Sequence, residues 1–317
     1  MRALSIDLGG THATCAVVED RTIHTSQVVP TDGDRKLREL LPVLADTLRK
    51  LAADAGLGLG QIEGIAVGFC GLVDRKNARV TSTNLKYTDA TEVDLKTWAA
   101  EEFGLPIAVE NDARLALLGE WYAGSGTSSN DIVMMTLGTG IGGVAMIDGR
   151  LLVGKHFQAG CLGGHLAARF DGSPCNCGGI GCAESEASGW ALPRICRGWP
   201  GFESSSLAGM ELNFQNLFQT ADDGDLVALA VREHCIRVWA RTAASLIHAY
   251  DPELVLIGGG VMRRGDLIVP YIQQYVKEHT WTPWGTVQVR PAMLGDSAPL
   301  LGAVPLIELI KRSELDV

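Results

Sequence analysis

His165 stands shortly before Cys175, Cys177 and Cys182 in a glycine-rich stretch. The three thiols fall within eight residues, on a segment that also holds Pro174, Gly178, Gly179 and Gly181. Such a loop is a poor place for core cysteines. One imidazole and three soft thiolates make the donor set of a closed, tetrahedral, structural Zn²⁺ site. The competing reading is a group of free thiols or a redox switch. The other five cysteines, at 15, 70, 161, 196 and 235, are scattered through apolar segments and are expected to be buried and inert.

A second chemical candidate is Glu110-Asn111-Asp112-Ala113-Arg114, which follows an apolar strand and opens an apolar helical run, Leu115 to Trp121. A carboxylate at the end of a strand can take the proton of a hydroxyl that attacks a phosphate, which makes Asp112 a candidate base. Asn111 could position that hydroxyl. The plainer alternative is that Asn111 or Asp112 only caps the helix.

Three glycine turns follow strands. Gly9-Gly10-Thr11 comes after Leu4–Leu8, Gly138-Thr139-Gly140-Ile141-Gly142-Gly143 after Ile132–Thr136, and Gly258-Gly259-Gly260 after Leu254–Ile257. Without Cβ atoms, such turns let backbone N–H groups approach a phosphate. Asp7, just before the first turn, could hold Mg²⁺, and Thr11 could donate its hydroxyl. An ordinary hairpin would explain the first turn equally well. Together the turns suggest a nucleotide held between two domains. No P-loop is present. The second turn nearly spells the dinucleotide motif, but a return strand follows it where that motif needs a helix.

The elements that would position these groups alternate. Leu4–Leu8 and Ala13–Val18 read as strands around the first turn, and Ile65–Phe69 and Ile107–Glu110 as short buried strands. Leu37, Leu40, Leu41, Leu44, Leu48 and Leu51 form a helical stripe, interrupted by Pro42. The second half repeats strand, glycine turn with Thr, and return strand, which predicts an internal duplication. Leu226–Tyr250 reads as a long helix and Leu300–Lys311 as a packed terminal one. The pattern is α/β.

The 317 residues suggest about two domains. The formal charge of −10 argues against nucleic acid or an anionic membrane as partner. No apolar run reaches the roughly 18–20 residues of a membrane span, and the N-terminus has no signal-peptide pattern. A cytoplasmic location is the expectation.

The motifs together resemble the ROK family, whose members include repressors and actin-like sugar kinases. The resemblance rests on Asp7-Leu8-Gly9-Gly10-Thr11, Gly68-Phe69-Cys70-Gly71-Leu72-Val73-Asp74, Glu110-Asn111-Asp112-Ala113 and Leu137–Gly143. The run Cys175-x-Cys177-Gly178-x-x-Gly181-Cys182-x-Glu184 and Ile257-Gly258-Gly259-Gly260 complete it. It implies an actin-like, ribonuclease H-like pair of duplicated α/β domains with an interdomain cleft and a structural zinc loop at 165–184. The expected division is 1–117, joined by the terminal helix 300–317, and 118–299. The implied activity is transfer of the ATP γ-phosphate to a hexose hydroxyl, commonly the 6-hydroxyl, with Asp112 as base. Asn84, Asn111, His165, Glu184 and Gly71 would lie at the sugar, with Asp112. Gly9, Gly10, Thr11, Gly138 and Thr139 would cradle phosphates, Gly258 and Gly259 would lie by the adenosine, and Asp7 would help hold Mg²⁺. The resemblance also suggests a homodimer.

Two departures stand out. The family usually has Glu-x-Gly-His before the zinc loop, with that Glu on the sugar. Here Leu162 takes its place, or Cys161 if one residue is inserted. A missing acceptor costs discrimination, so glucose itself is a weaker expectation than a sugar. Cys70 stands where the family usually has Pro. The alternative function is a sugar-binding sensor of the same fold with little or no catalysis.

Overall fold

The computed structural model describes residues 1–31, 34, 36–83 and 86–312. The chain divides into two compact units. Unit 1 comprises Met1–Ser128, Val153–Ala159 and Leu294 onward; unit 2 comprises Ser129–Leu152 and Gly160–Met293.

In unit 1, β1 (Arg2–Leu8), β2 (His12–Glu19) and β3 (Thr22–Pro30) form an antiparallel meander. Helix α1 (Leu37–Asp54) follows, and every leucine of the predicted stripe is buried. Pro42 lies inside the helix without ending it. β4 (Ile65–Phe69) adds parallel to β1, and β7 (Ile107–Asn111) adds parallel to β4. Between them, β5 (Leu72–Asp74) and β6 (Arg79–Ser82) make a separate ribbon, and α2 (Leu95–Phe103) crosses back. Asp94 caps α2, accepting from Lys96 N and Thr97 N. The sheet order is β3-β2-β1-β4-β7.

Unit 2 repeats this order. β8 (Ile132–Leu137), β9 (Ile141–Ile147) and β10 (Arg150–Leu151) form the meander, and β11 (Leu254–Gly258) and β12 (Gln288–Pro291) add in parallel. The order β10-β9-β8-β11-β12 matches the first sheet strand for strand. The repeated strand–turn–strand pattern therefore does mark a duplication.

Helix α3 (Asp112–Ala123) belongs to unit 1. In unit 2, α4 (Ala183–Ala187), α5 (Leu192–Arg197), α6 (Phe214–Asp222), α7 (Leu226–Tyr250) and α8 (Gly265–His279) surround a core centred on Trp239. α7 has the predicted span and ends at Asp251, in the left-handed region at φ 49°. The terminal segment is not one helix. α9 (Ala298–Leu301) and α10 (Ala303–Lys311) meet at Gly302, where a Cβ would overlap Leu115 O of α3. A Cβ on Gly119 of α3 would likewise overlap Ala298 O. This close crossing ties α3 to the C-terminal segment. The boundary expected at 117/118 falls inside α3, and the units divide after Ser128. Among the described residues no helix is long and apolar enough to cross a membrane.

Candidate active site and candidate metal centre

In unit 1 three parallel strands end side by side. Asp7 of β1 pairs with Gly68 of β4, and Gly68 with Glu110 of β7. Gly68 lies between them: a Cβ there would lie 3.0 Å from Leu115 Cδ2, 3.4 Å from Asp7 Oδ1 and 3.6 Å from Asp112 Cα. Asp112 is the first residue of α3, and Asn111 is its cap.

Asn111 caps the helix and also holds its neighbour's carboxylate. Its Oδ1 accepts from Arg114 N at 3.2 Å, which caps α3. Its Nδ2 donates to Gly71 O at 3.1 Å and to Asp112 Oδ1 at 2.9 Å. Ala113 N also donates to that oxygen, at 2.8 Å. Both donors thus act on Oδ1, and Oδ2 has no protein donor among the described residues. One oxygen is anchored and the other is left to accept from a hydroxyl. Gly71 enters this site through its carbonyl.

Burial raises the Asp112 carboxyl above the ordinary carboxylate range, opposed by its hydrogen bonds and the Lys86 charge. Asp7 is pushed up to about 7, first by burial, then by repulsion from Asp112 and Asp296. Clustered carboxylates with no ion-paired cation among the described residues suit a divalent cation. Cys70 is half-buried rather than buried, and burial beside Asp112 pushes its thiol up to about 11.

Behind Asp112 lies a charged group that the sequence reading missed. Glu110 is fully buried; its Oε1 accepts from Asn111 N at 2.9 Å and faces Arg114 Nη1 at 3.4 Å. Arg75 Nη1 stands 3.5 Å from Glu110 Oε2. Arg114 also donates to Ala159 O at 2.7 Å and Phe157 O at 3.1 Å, holding that segment in unit 1. Only the i, i+4 spacing of Glu110 and Arg114 hinted at it.

The first glycine turn contains two kinds of N–H. Gly9 N donates to His12 O at 3.0 Å and closes the hairpin. Gly10 N and Thr11 N have no acceptor among the described residues, so they are the donors this turn offers an anion. Thr11 Oγ1 lies 3.1 Å from His12 Nδ1. The second turn, in unit 2, works alike. Gly138 N donates to Gly140 O at 3.0 Å, while Thr139 N and Gly140 N have no acceptor among the described residues. Gly189 N and Trp190 N donate to Gly138 O and Thr139 O, which holds the turn in place. Gly259 has φ 94°, and a Cβ there would overlap Leu137 O and lie 2.7 Å from Leu137 N. Glycine is required at 259 by this packing against the second turn. Gly258 ends β11 opposite Thr136.

Glu184 sits in the first turn of α4, two residues after Cys182. Its Oε2 accepts from Ile141 N at 2.9 Å and its Oε1 from Trp190 Nε1 at 3.2 Å. It therefore links the cysteine loop to the second glycine turn. Asn84 lies outside the described residues.

His165, Cys175, Cys177 and Cys182 converge, with all four donor atoms within 4.8 Å of one another. Cys175 Sγ is 3.6 Å from His165 Nδ1, and Cys177 Sγ is 3.6 Å from Cys182 Sγ. A tetrahedron with Zn–S of about 2.3 Å has edges of about 3.6–3.8 Å, so the donor set fits zinc. A disulfide would need about 2.05 Å. Gly179 N points at Cys177 Sγ at 3.4 Å, as an outer hydrogen bond to a thiolate would. Gly181, at φ 67°, passes so close to Arg169 O that no Cβ fits.

Gly163 and Gly164 pack on Gly143 and Ile141, and this contact sets His165. Leu162 before them is 42% exposed and carries no acceptor. Cys161 is half-buried, not core; only Cys15, Cys196 and Cys235 of the five are buried as expected.

The sequence profile of the ROK family matches residues 3–309. The chain is 31% identical over 316 residues to a glucokinase of Thermotoga maritima, covering 97% of this chain and 98% of that one. A ROK hexokinase structure from Thermus thermophilus matches with a TM-score of 0.81 at 28% identity, over 99% of this chain and 100% of that one. A ROK family glucokinase from Streptomyces griseus, in complex with glucose and AMPPNP, matches with a TM-score of 0.77 at 29% identity. That match covers 96% of this chain and 99% of the other.

Proposed function

The chain belongs to the ROK family, and on that premise we propose that it is an ATP-dependent sugar kinase. It transfers the γ-phosphate to a hexose hydroxyl, the 6-hydroxyl by preference. The observation that carries this reading is the Asp112 carboxylate, anchored through Oδ1 and, among the described residues, without a donor at Oδ2. Phosphoryl transfer needs alignment and charge neutralisation more than covalent chemistry. Asp112 would accept the proton of the attacking hydroxyl through Oδ2. Asn111 would fix that carboxylate as well as bordering the sugar.

Gly10 and Thr11 in unit 1, and Thr139 and Gly140 in unit 2, would donate N–H groups to ATP phosphates. Gly258 and Gly259 are assigned to the adenosine end. Asp7 would help hold Mg²⁺, which supplies charge neutralisation at the phosphates. Glu184 and His165 are assigned to the sugar, with His165 also a zinc ligand through Nδ1. Structural zinc on His165, Cys175, Cys177 and Cys182 would stiffen the loop that carries Glu184.

Leu162 favours a second reading, a sugar sensor with little catalysis, because no carboxylate stands there for a hydroxyl pair. ADP release measured across hexoses, 2-acylamino sugars, ketoses and cyclitols separates the two. Sugar-dependent turnover supports the kinase. Sugar binding without turnover on any of them supports the sensor.

A further inference from the structure

Lys86 comes from the segment between β6 and α2, far from any glycine motif, yet its side chain lies across the first glycine turn. A Cβ on Gly10 would overlap the Lys86 ammonium and lie 2.6 Å from Cε and 2.9 Å from Cδ. The backbone beside it is fastened to the same turn. Tyr87, held at φ 50°, is fully buried, and its hydroxyl donates to Gly9 O at 2.5 Å and lies 2.9 Å from Thr31 Oγ1. Lys86 N donates to Thr83 O at 2.9 Å.

Among the described residues, no carboxylate stands within ion-pair distance of Lys86. Its charge is nevertheless felt nearby, drawing the Asp112 carboxyl and the Cys70 thiol downward against their burial. An ammonium with no ion-pair partner among the described residues, lying across a turn with two unengaged N–H groups, makes an arrangement of unused donors. It is a good one for a phosphoryl group with spread negative charge.

We propose that Lys86 binds the terminal phosphate of the bound nucleotide at the Gly9–Thr11 turn, supplying the cation that a P-loop lysine supplies elsewhere. The proposal rests on the kinase reading for its ligand. An anionic group on the acceptor would present the same chemistry, so the test separates the two sources.

Calorimetry would compare binding of Mg-AMPPNP, Mg-ADP and an anionic sugar, glucuronate, to the wild-type chain, Lys86→Met and Lys86→Arg. The expected result is about tenfold weaker AMPPNP binding in Lys86→Met, ADP binding unchanged within about twofold, and most of the loss restored by Arg. Equal weakening of both nucleotides would reduce Lys86 to a support of the turn and overturn the proposal. So would unchanged AMPPNP binding, or a loss confined to an anionic acceptor sugar. A wild-type chain that binds neither nucleotide also overturns it. A chain that binds AMPPNP but phosphorylates no sugar refutes the kinase reading and leaves the Lys86 comparison standing.

Discussion

Asp7→Asn should stabilise the protein, and increasingly so as pH rises. The Asp7 carboxyl moves from an ordinary 3.8 to about 7 on folding, because burial and the neighbouring Asp112 and Asp296 disfavour its charge. A raised acid binds more protons in the folded state, so stability falls as pH climbs from about 4 through about 7. Above both values the full shift corresponds to about 4 kcal/mol, and partial contact with water reduces this to about 2–4 kcal/mol. About 2 kcal/mol of it develops between pH 5 and pH 8.5. Asn keeps the shape and removes the charge. Equilibrium urea unfolding of wild type and Asp7→Asn, without divalent cations, would measure the difference at both pH values. The gain should be about 1–1.5 kcal/mol at pH 5 and about 2–4 kcal/mol at pH 8.5. Mg²⁺ should stabilise the wild type at pH 8.5 and leave Asp7→Asn largely unmoved. An equal gain at both pH values, or none at pH 8.5, would refute the charge-crowding argument.

Purified protein should carry about one zinc per chain, and Cys177→Ser or a strong chelator should lower both zinc content and thermal stability; a metal-free protein with unchanged melting would remove the zinc assignment. Gly259→Ala should destabilise by about 2 kcal/mol or more, since the added Cβ meets Leu137 backbone at a positive φ. Thermal unfolding would check it, and a wild-type melting curve would contradict the packing described.

Much of the site was legible because it is local. The spacing of Cys175, Cys177 and Cys182 marks a candidate metal loop without knowledge of the rest of the chain. The two strand–turn–strand units announce themselves because glycines interrupt apolar runs at matching places. What stayed hidden depends on pairing across distance or on single hydrogen bonds. Gly9 and Gly138 carry the expected motif, but their own N–H groups close hairpins, and the neighbouring residues offer the free donors. Lys86 and Asp296 reach the Asp7 region from loops with no motif of their own. The Asn111 side chain caps α3 through Oδ1 and holds Asp112 through Nδ2, a double contact that the sequence alone does not reveal. The terminal apolar run read as one helix because nothing local reveals that Gly302 must pass against Leu115.

The role proposed for Asp112, base of a sugar kinase, can be tested on the protein directly. The most direct measurement is sugar-dependent ADP release by Asp112→Asn beside the wild type, with sugar binding measured on both. Turnover should fall by about 10²–10⁴-fold with sugar affinity little changed. Near wild-type turnover in that variant would contradict it.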